Sequence, residues 1–238
     1  MRVPSTEVQN SFGKYLKMAL ELEPVIITKN GKDVARIDPC SAALSLSESN
    51  PAYSVGNKRM SYQEFIEMTA NSDERYELID GEVYLLESPV YDHQAILSEI
   101  HVILHDWFKG KPCRPLFAPF DVTLAKNEEN ISVVQPDILV ICDLDRIDSN
   151  GHYQGVPTLV VEVMSPSTRR KDMLKKLDLY LQTGVQEYWL IDPSKRSVFL
   201  YSFKSGDFLD NRTYIGDATL QSSCFPGLEV PLAAVFYP

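Results

Sequence analysis

Two acids stand inside otherwise apolar runs of this 238-residue chain. Asp137 lies in Val133-Val134-Gln135-Pro136-Asp137-Ile138-Leu139-Val140-Ile141, and Glu162 lies in Thr158-Leu159-Val160-Val161-Glu162-Val163-Met164. A carboxylate buried without a partner is costly. If the two runs are neighbouring strands, the acids converge, and two carboxylates about 4 Å apart repel by about 4 kcal/mol at an effective dielectric of 20. A shared divalent cation reverses that sign, and Mg²⁺ or Mn²⁺ takes such hard oxygen ligands with water completing the shell. A third group follows in the helical run Thr168 to Leu177. There Lys176 borders the apolar face of Met173, Leu174, Leu177 and Leu181, one turn after Asp172 and one turn before Tyr180. A lysine so placed reaches back toward the strand ends, where it would orient a nucleophile and offset charge developing on a phosphate. The plainer alternatives are acids solvated at strand ends and, for Arg169–Lys176, a solvated helix face.

The elements that must position these groups follow from periodicity and turn chemistry. Ser61 with Glu64 has capping-box form and opens a helix to about Ala70. Asp80-Gly81 joins strands at 76–79 and 82–86 as a hairpin. Ile96, Ile100, Ile103 and Leu104 mark a helix over 92–107. Strands are expected at 116–124, 133–142 and 158–164, with an edge or bulge at Pro136, which has no amide hydrogen to donate. A helix over 167–182 ends at Gly184, and strands follow at 187–191, 196–203 and 207–215. The order predicts a mixed α/β (α+β) fold, a mixed sheet with helices on its faces.

The first 38 residues read as a separate small unit. Thr6 and Gln9 have the positions of a capping box, and Val8, Phe12, Tyr15, Leu16 and Ala19 form one helical face ended by Pro24. Val25–Thr28 and Asp33–Ile37 flank the Asn30-Gly31 turn. A helix with about three short strands is too small for a secure core, which predicts a homodimer. Residues 39–57, rich in Ser, Ala, Asn and Pro, read as a linker, and 58–238 as the larger domain.

Composition narrows the function classes. Apolar residues at 44% and charged residues at 24% exclude wholesale disorder. No run approaches the roughly 20 apolar residues of a membrane span, and MRVPSTEVQN has no apolar core of a secretory signal. Cys40, Cys113, Cys142 and Cys224 are scattered without a CxxC pair. They suggest neither zinc nor a disulfide framework, and a reducing cytoplasm is expected. Residues 1–57 carry six basic and six acidic side chains, so the whole net charge of −10 falls on residues 58–238. Such a domain repels polyphosphate on average, and contact with nucleic acid needs a local basic patch or bound cations.

Asp137, Glu162 and Lys176 resemble the PD-(D/E)XK nuclease pattern, and the larger domain more closely resembles the Uma-type restriction-endonuclease family. The matching stretches are Arg75 to Glu82, His93-Gln94, Gln135-Pro136-Asp137, Glu162 to Thr168, Asp172, Lys176, Tyr180 and Gly184 to Pro193. The resemblance spans roughly 60–235. It implies a restriction endonuclease-like sheet, a Mg²⁺ or Mn²⁺ cofactor and DNA as partner. It also implies Glu77 as a third carboxylate beside the metal, with His93, Asp172 and Tyr180 as accessory residues. The plainer reading of Glu77 is a hairpin glutamate paired with Arg75, and that of His93 a capping or packing histidine. One departure matters: the superfamily's lysine two residues after the glutamate is Met164 here, and in the family resembled the lysine has moved to the helix position of Lys176.

Residues 1–38 resemble the DNA-binding half of Phd/YefM-type antitoxins, through Val3 to Leu16, Val25 to Lys32 and Val34 to Ile37. This implies a dimer that touches DNA through Thr6, Gln9, Asn10 and Lys14, and a toxin-like partner. Gln9 stands where a basic residue is usual, and the toxin-wrapping tail is replaced by the linker and nuclease-like domain. The expected function is a metal-dependent DNA endonuclease. The alternative is a non-catalytic DNA-binding regulator with a retained nuclease fold, because fold alone does not fix function.

Overall fold

Contacts divide the chain into two units, Met1–Asn50 and Pro51–Pro238. The computed structural model describes residues 2–10, 15, 25–29, 31–37, 59–149, 151–165, 168–169 and 171–236. In the first unit β1 (Arg2–Pro4), β2 (Val25–Lys29) and β3 (Lys32–Ile37) form a sheet in that order. The pair β1–β2 is parallel and β2–β3 antiparallel. Gly31 turns the hairpin with φ +74°, as the Asn-Gly signal predicts. Helix α1 spans Ser5–Asn10, so it starts directly after Pro4 and includes Thr6, which the sequence had suggested as the cap. Val3, Val8, Tyr15 and Val25 make its small core. Expectations for Phe12, Lys14, Leu16, Ala19, Pro24, Asn30 and the 39–57 linker lie outside the described residues.

The second unit begins with the predicted capping box. The Ser61 hydroxyl accepts from the Glu64 amide, the Glu64 carboxylate accepts from the Ser61 amide, and α2 runs from Tyr62 to Thr69. The hairpin of β4 (Tyr76–Ile79) and β5 (Glu82–Leu85) turns on Asp80 and Gly81, both at positive φ, the backbone of a type I′ turn. Helix α3 spans Tyr91–Phe108. Next come β6 (Arg114–Phe117), β7 (Val122–Ala125), β8 (Ile131–Val134), β9 (Ile138–Ile141) and β10 (Leu159–Val163). A π-helical turn over Lys171–Lys176 leads into α4 (Leu177–Thr183), which ends at Gly184 with φ +96°. The chain continues as β11 (Glu187–Asp192), β12 (Ser197–Lys204), β13 (Asp207–Ile215), the pair β14 (Thr219–Gln221) and β15 (Glu229–Pro231), and α5 (Leu232–Val235).

Two sheets organise these strands. One has the order β5-β4-β8-β7 and the other β13-β12-β11-β10-β9-β6. Only β10–β11 is parallel in the larger sheet. Alternation along β10 sends Leu159, Val161 and Val163 into a core with Ile96, Ile100 and Leu104 of α3. Val160 and Met164 enter a second core with Leu179 and Tyr180 of α4. Glu162 shares their parity and hence this second face.

The structure corrects three sequence expectations. The single strand expected over 133–142 is two strands in different sheets, because Gln135-Pro136-Asp137 interrupts the ladder where Pro136 has no N–H to give. The strand expected over 116–124 is likewise split into β6 and β7 around Pro119, which follows a cis peptide bond. Finally, Cys113 and Cys142 form a disulfide. They flank the paired residues Arg114 and Ile141, so strand register brings together cysteines that look unrelated in sequence. The cysteine argument for a reducing compartment therefore does not hold. No helix among the described residues is long and apolar enough to cross a membrane.

Candidate active site

The break at Gln135-Pro136-Asp137 lies where the chain leaves β8 for β9, and it places Asp137 at the start of the larger sheet. Pairing of β9 with β10 sets Ile138 opposite Val161, which brings Asp137 beside Glu162's strand. The Val163 amide donates to Asp137 Oδ2 at 2.8 Å. His93, in the first turn of α3, sets Nε2 3.3 Å from the same oxygen. Its Nδ1 is buried without a hydrogen-bond partner. Burial pulls the His93 imidazole down, but Asp137 outweighs it and raises the group above its ordinary value.

Glu162 and Glu77 face one ammonium group from two different sheets. Lys176 Nζ lies 2.7 Å from Glu162 Oε1 and 2.8 Å from Glu77 Oε1, with the lysine side chain only 3% exposed. The Tyr180 hydroxyl donates to Glu162 Oε1 at 2.8 Å. The far oxygen of Glu77 accepts from Lys171 Nζ at 2.6 Å, and the Gln135 amide donates to Glu77 Oε1 at 3.0 Å. Lys126 bridges Asp80 in the β4–β5 turn, at 2.9 Å, and Asp178 of α4, at 2.7 Å, which ties α4 to the smaller sheet.

Electrostatics separates the two glutamates. Burial raises the Glu162 carboxyl, Lys176 opposes this, and the acids Asp137, Asp172 and Glu77 add to the rise, leaving it at about 8. Burial would raise Glu77 as well, but Lys176 and Lys171 together bring it down to about 2. The Lys176 ammonium, which burial alone would discharge, is held well above its ordinary value by Glu162, Glu77 and Asp172. Asp172 is buried, which raises its carboxyl against the opposing pull of Lys176 and Lys171. Burial and the Glu162 charge keep the Tyr180 phenol protonated.

Asp137, Glu162, Lys176, Glu77, His93, Asp172 and Tyr180 thus fall in one region. Met164 is buried in the apolar core on the Glu162 face. Glu77 is partnered by Lys171 and Lys176 rather than by Arg75. Sequence reasoning passed over Lys171; its five-residue spacing from Lys176 is a signal only for a π-turn, not for an α-helix. Among the Thr6, Gln9, Asn10 and Lys14 set, Thr6 is exposed on α1. The side chains of Gln9 and Asn10, and all of Lys14, lie outside the described residues.

The donor set decides what cation it fits. Among the described residues, no three His, Cys, Asp or Glu side chains form a ready-made metal site. Glu77 does not fit as a ligand, since lysines and a backbone amide already occupy its oxygens. Asp137 and Glu162 do fit an ion of the Mg²⁺ type, which binds through one or two carboxylates and keeps several waters. The four acids Asp137, Glu162, Asp172 and Glu77 outnumber Lys171 and Lys176, so the cluster carries more acidic than basic groups.

Fold and cluster together define a mixed α/β protein with a buried carboxylate–lysine centre. The family profile described as "Uma2: Putative restriction endonuclease" matches residues 62–233. The chain belongs to the Uma2 family. It is similar to a crystal structure from Anabaena variabilis described as "a putative nuclease belonging to DUF820", with TM-score 0.61 and 24% identity over 74% of this chain and 97% of that one. That likeness carries the fold. An uncharacterized protein of Synechocystis sp., slr1290, is 27% identical over 153 residues, 63% of this chain and 78% of that protein.

Proposed function

We propose that the second unit is a divalent-metal-dependent endonuclease that hydrolyses DNA phosphodiesters. The observation that carries this reading is the Lys176 ammonium held between Glu162 and Glu77, with Asp137 tied to the Glu162 strand through the Val163 amide. Mg²⁺ or Mn²⁺ on Asp137 and Glu162 would supply a more acidic water and a polarised scissile phosphate. Lys176 is fixed by two carboxylates and a buried environment, so it is pre-oriented to offset charge that grows on the phosphate. Tyr180 shares the Glu162 oxygen with Lys176 and holds that carboxylate's rotamer. His93 and the Val163 amide hold Asp137 by one oxygen.

The first unit is proposed as an antitoxin-like dimerisation and DNA-binding module. A unit of about 38 residues is too small for a secure core of its own, which supports pairing with a second copy. Thr6, Gln9, Asn10 and Lys14 would face DNA, and a toxin-like protein is a candidate partner. A second reading, a non-catalytic DNA-binding regulator, is favoured by one observation: lysines already neutralise Glu77 and one oxygen of Glu162.

The deciding experiment is cleavage of supercoiled plasmid and of single-stranded DNA with Mg²⁺ or Mn²⁺, with and without EDTA, for wild type beside Asp137→Ala. Metal-dependent cleavage missing from the variant is expected. A folded wild type that cleaves neither substrate under any of these conditions would favour the regulator.

A further inference from the structure

Lys171 and Lys176 are five residues apart, which in an α-helix would turn them about 140° away from each other. The π-helical turn over Lys171–Lys176 removes that divergence. A π-turn closes on residue i+5, so both lysines face the same carboxylate and take opposite oxygens of Glu77. The two ammonium groups differ in access. Lys176 is 3% exposed, Lys171 is 10% exposed and sits beside the Tyr84 ring, and Lys175 is 35% exposed. Five of the eight residues from 169 to 176 are basic and one is acidic, inside a domain whose net charge is −10. Lys175 pairs with Glu82 at 2.5 Å, as Lys171 does with Glu77 at 2.6 Å, and a polyanion binding here would exchange with these two acids.

We propose that Lys171, aligned with Lys176 by the π-turn and Glu77, is a substrate-contacting residue that binds a backbone phosphate next to the scissile one, with Lys175 extending the same track. This rests on the nuclease reading of the site and adds residues to it. Lys176 stays inside the cluster, while Lys171 marks the boundary between the cluster and solvent. A substrate phosphate can replace Glu77 as its partner without unburying Lys176, which keeps both Glu77 and Glu162.

The test is binding of a fluorescein-labelled DNA duplex and of the matching single strand to Asp137→Ala protein across a KCl series. Each phosphate contact contributes about 0.9 to the slope of log affinity against log salt for duplex and about 0.7 for single strands. In that background Lys171→Gln and Lys175→Gln are each expected to lower the slope by nearly one contact, and Lys171→Arg to keep it. Lys109→Gln, at the far end of α3 from His93, is the control and keeps the slope. If Lys171→Gln loses its folded circular dichroism, Lys175→Gln and Lys171→Arg decide. Slopes unchanged in these variants, a loss shared by Lys109→Gln, or no binding by the parent overturns the proposal. Cleavage with unchanged slopes defeats this inference alone. A lowered slope in a protein that never cleaves leaves the contact standing and defeats the nuclease reading.

Discussion

Asp137 accepts a hydrogen bond from the Val163 amide, 26 residues away, and so fastens itself to the strand that carries Glu162. The acid that precedes β9 is oriented by the backbone of the neighbouring strand. The centre therefore exists before any ligand arrives, and its energetics can be tested without one.

Lys176→Met should be costly in both stability and activity. It leaves Glu77, held down to about 2 by Lys176 and Lys171, buried with one of its two cations, and breaking one side of a buried pair costs about 3–5 kcal/mol. Urea denaturation should show a loss of that order, and DNA cleavage should fall at least about 100-fold, the usual scale for removing an electrostatic group from a site. The double variant Lys176→Met/Glu77→Gln removes the under-compensated charge and should regain part of the stability with none of the cleavage. A double variant no more stable than the single one would show that Glu77 is not the group left short of a cation.

The two glutamates give opposite pH dependences. Glu77 is depressed from 4.5 to about 2, so its contribution is present above about pH 4.5 and lost as pH falls through 2. Glu162 is raised from 4.5 to about 8, so the folded state holds a proton that the unfolded state releases. Its contribution is complete below about pH 4.5 and lost as pH rises through 8. By linkage each is worth a few kcal/mol. In EDTA the melting temperature should fall between pH 5 and 8, and Glu162→Gln should flatten that fall. Mg²⁺ should raise the melting temperature more at pH 8 than at pH 5. Equal effects of Mg²⁺ at both pH values would argue against Glu162 as its ligand.

The disulfide offers a third check. Cys113 and Cys142 close a loop over a separation of 29 residues, and constraint of the unfolded chain by such a loop is worth about 3–4 kcal/mol. Dithiothreitol should lower the urea midpoint of wild type accordingly and leave Cys113→Ser unchanged. A wild type indifferent to dithiothreitol would mean that the bond adds nothing to stability.

Much of this was legible in the sequence because local chemistry set it. Ser61 and Glu64 specify their helix start, Asp80-Gly81 its turn, and Gly184 its stop, each through contacts a few residues apart. The gathering of Asp137, Glu162 and Lys176 was legible because acids in apolar runs need partners. The rest depended on pairings between distant segments. Arg114 opposite Ile141 is what joins the cysteines, and no local signal records it. The division of 133–142 between two sheets hinged on one proline, read as a bulge but not as a departure. The role of Lys171 depended on a π-turn, whose periodicity hides behind the α-helical pattern of Leu174, Leu177 and Leu181.

Gln135-Pro136-Asp137 is only three residues long, yet it carries the chain from the smaller sheet to the larger one. A crossing that short, stiffened by the fixed φ of proline, leaves the chain little freedom between the two sheets. Asp137 lies on it, and Glu77 is bonded to it through the Gln135 amide. The same three residues thus carry the backbone of one acid of the centre and hold the carboxylate of another.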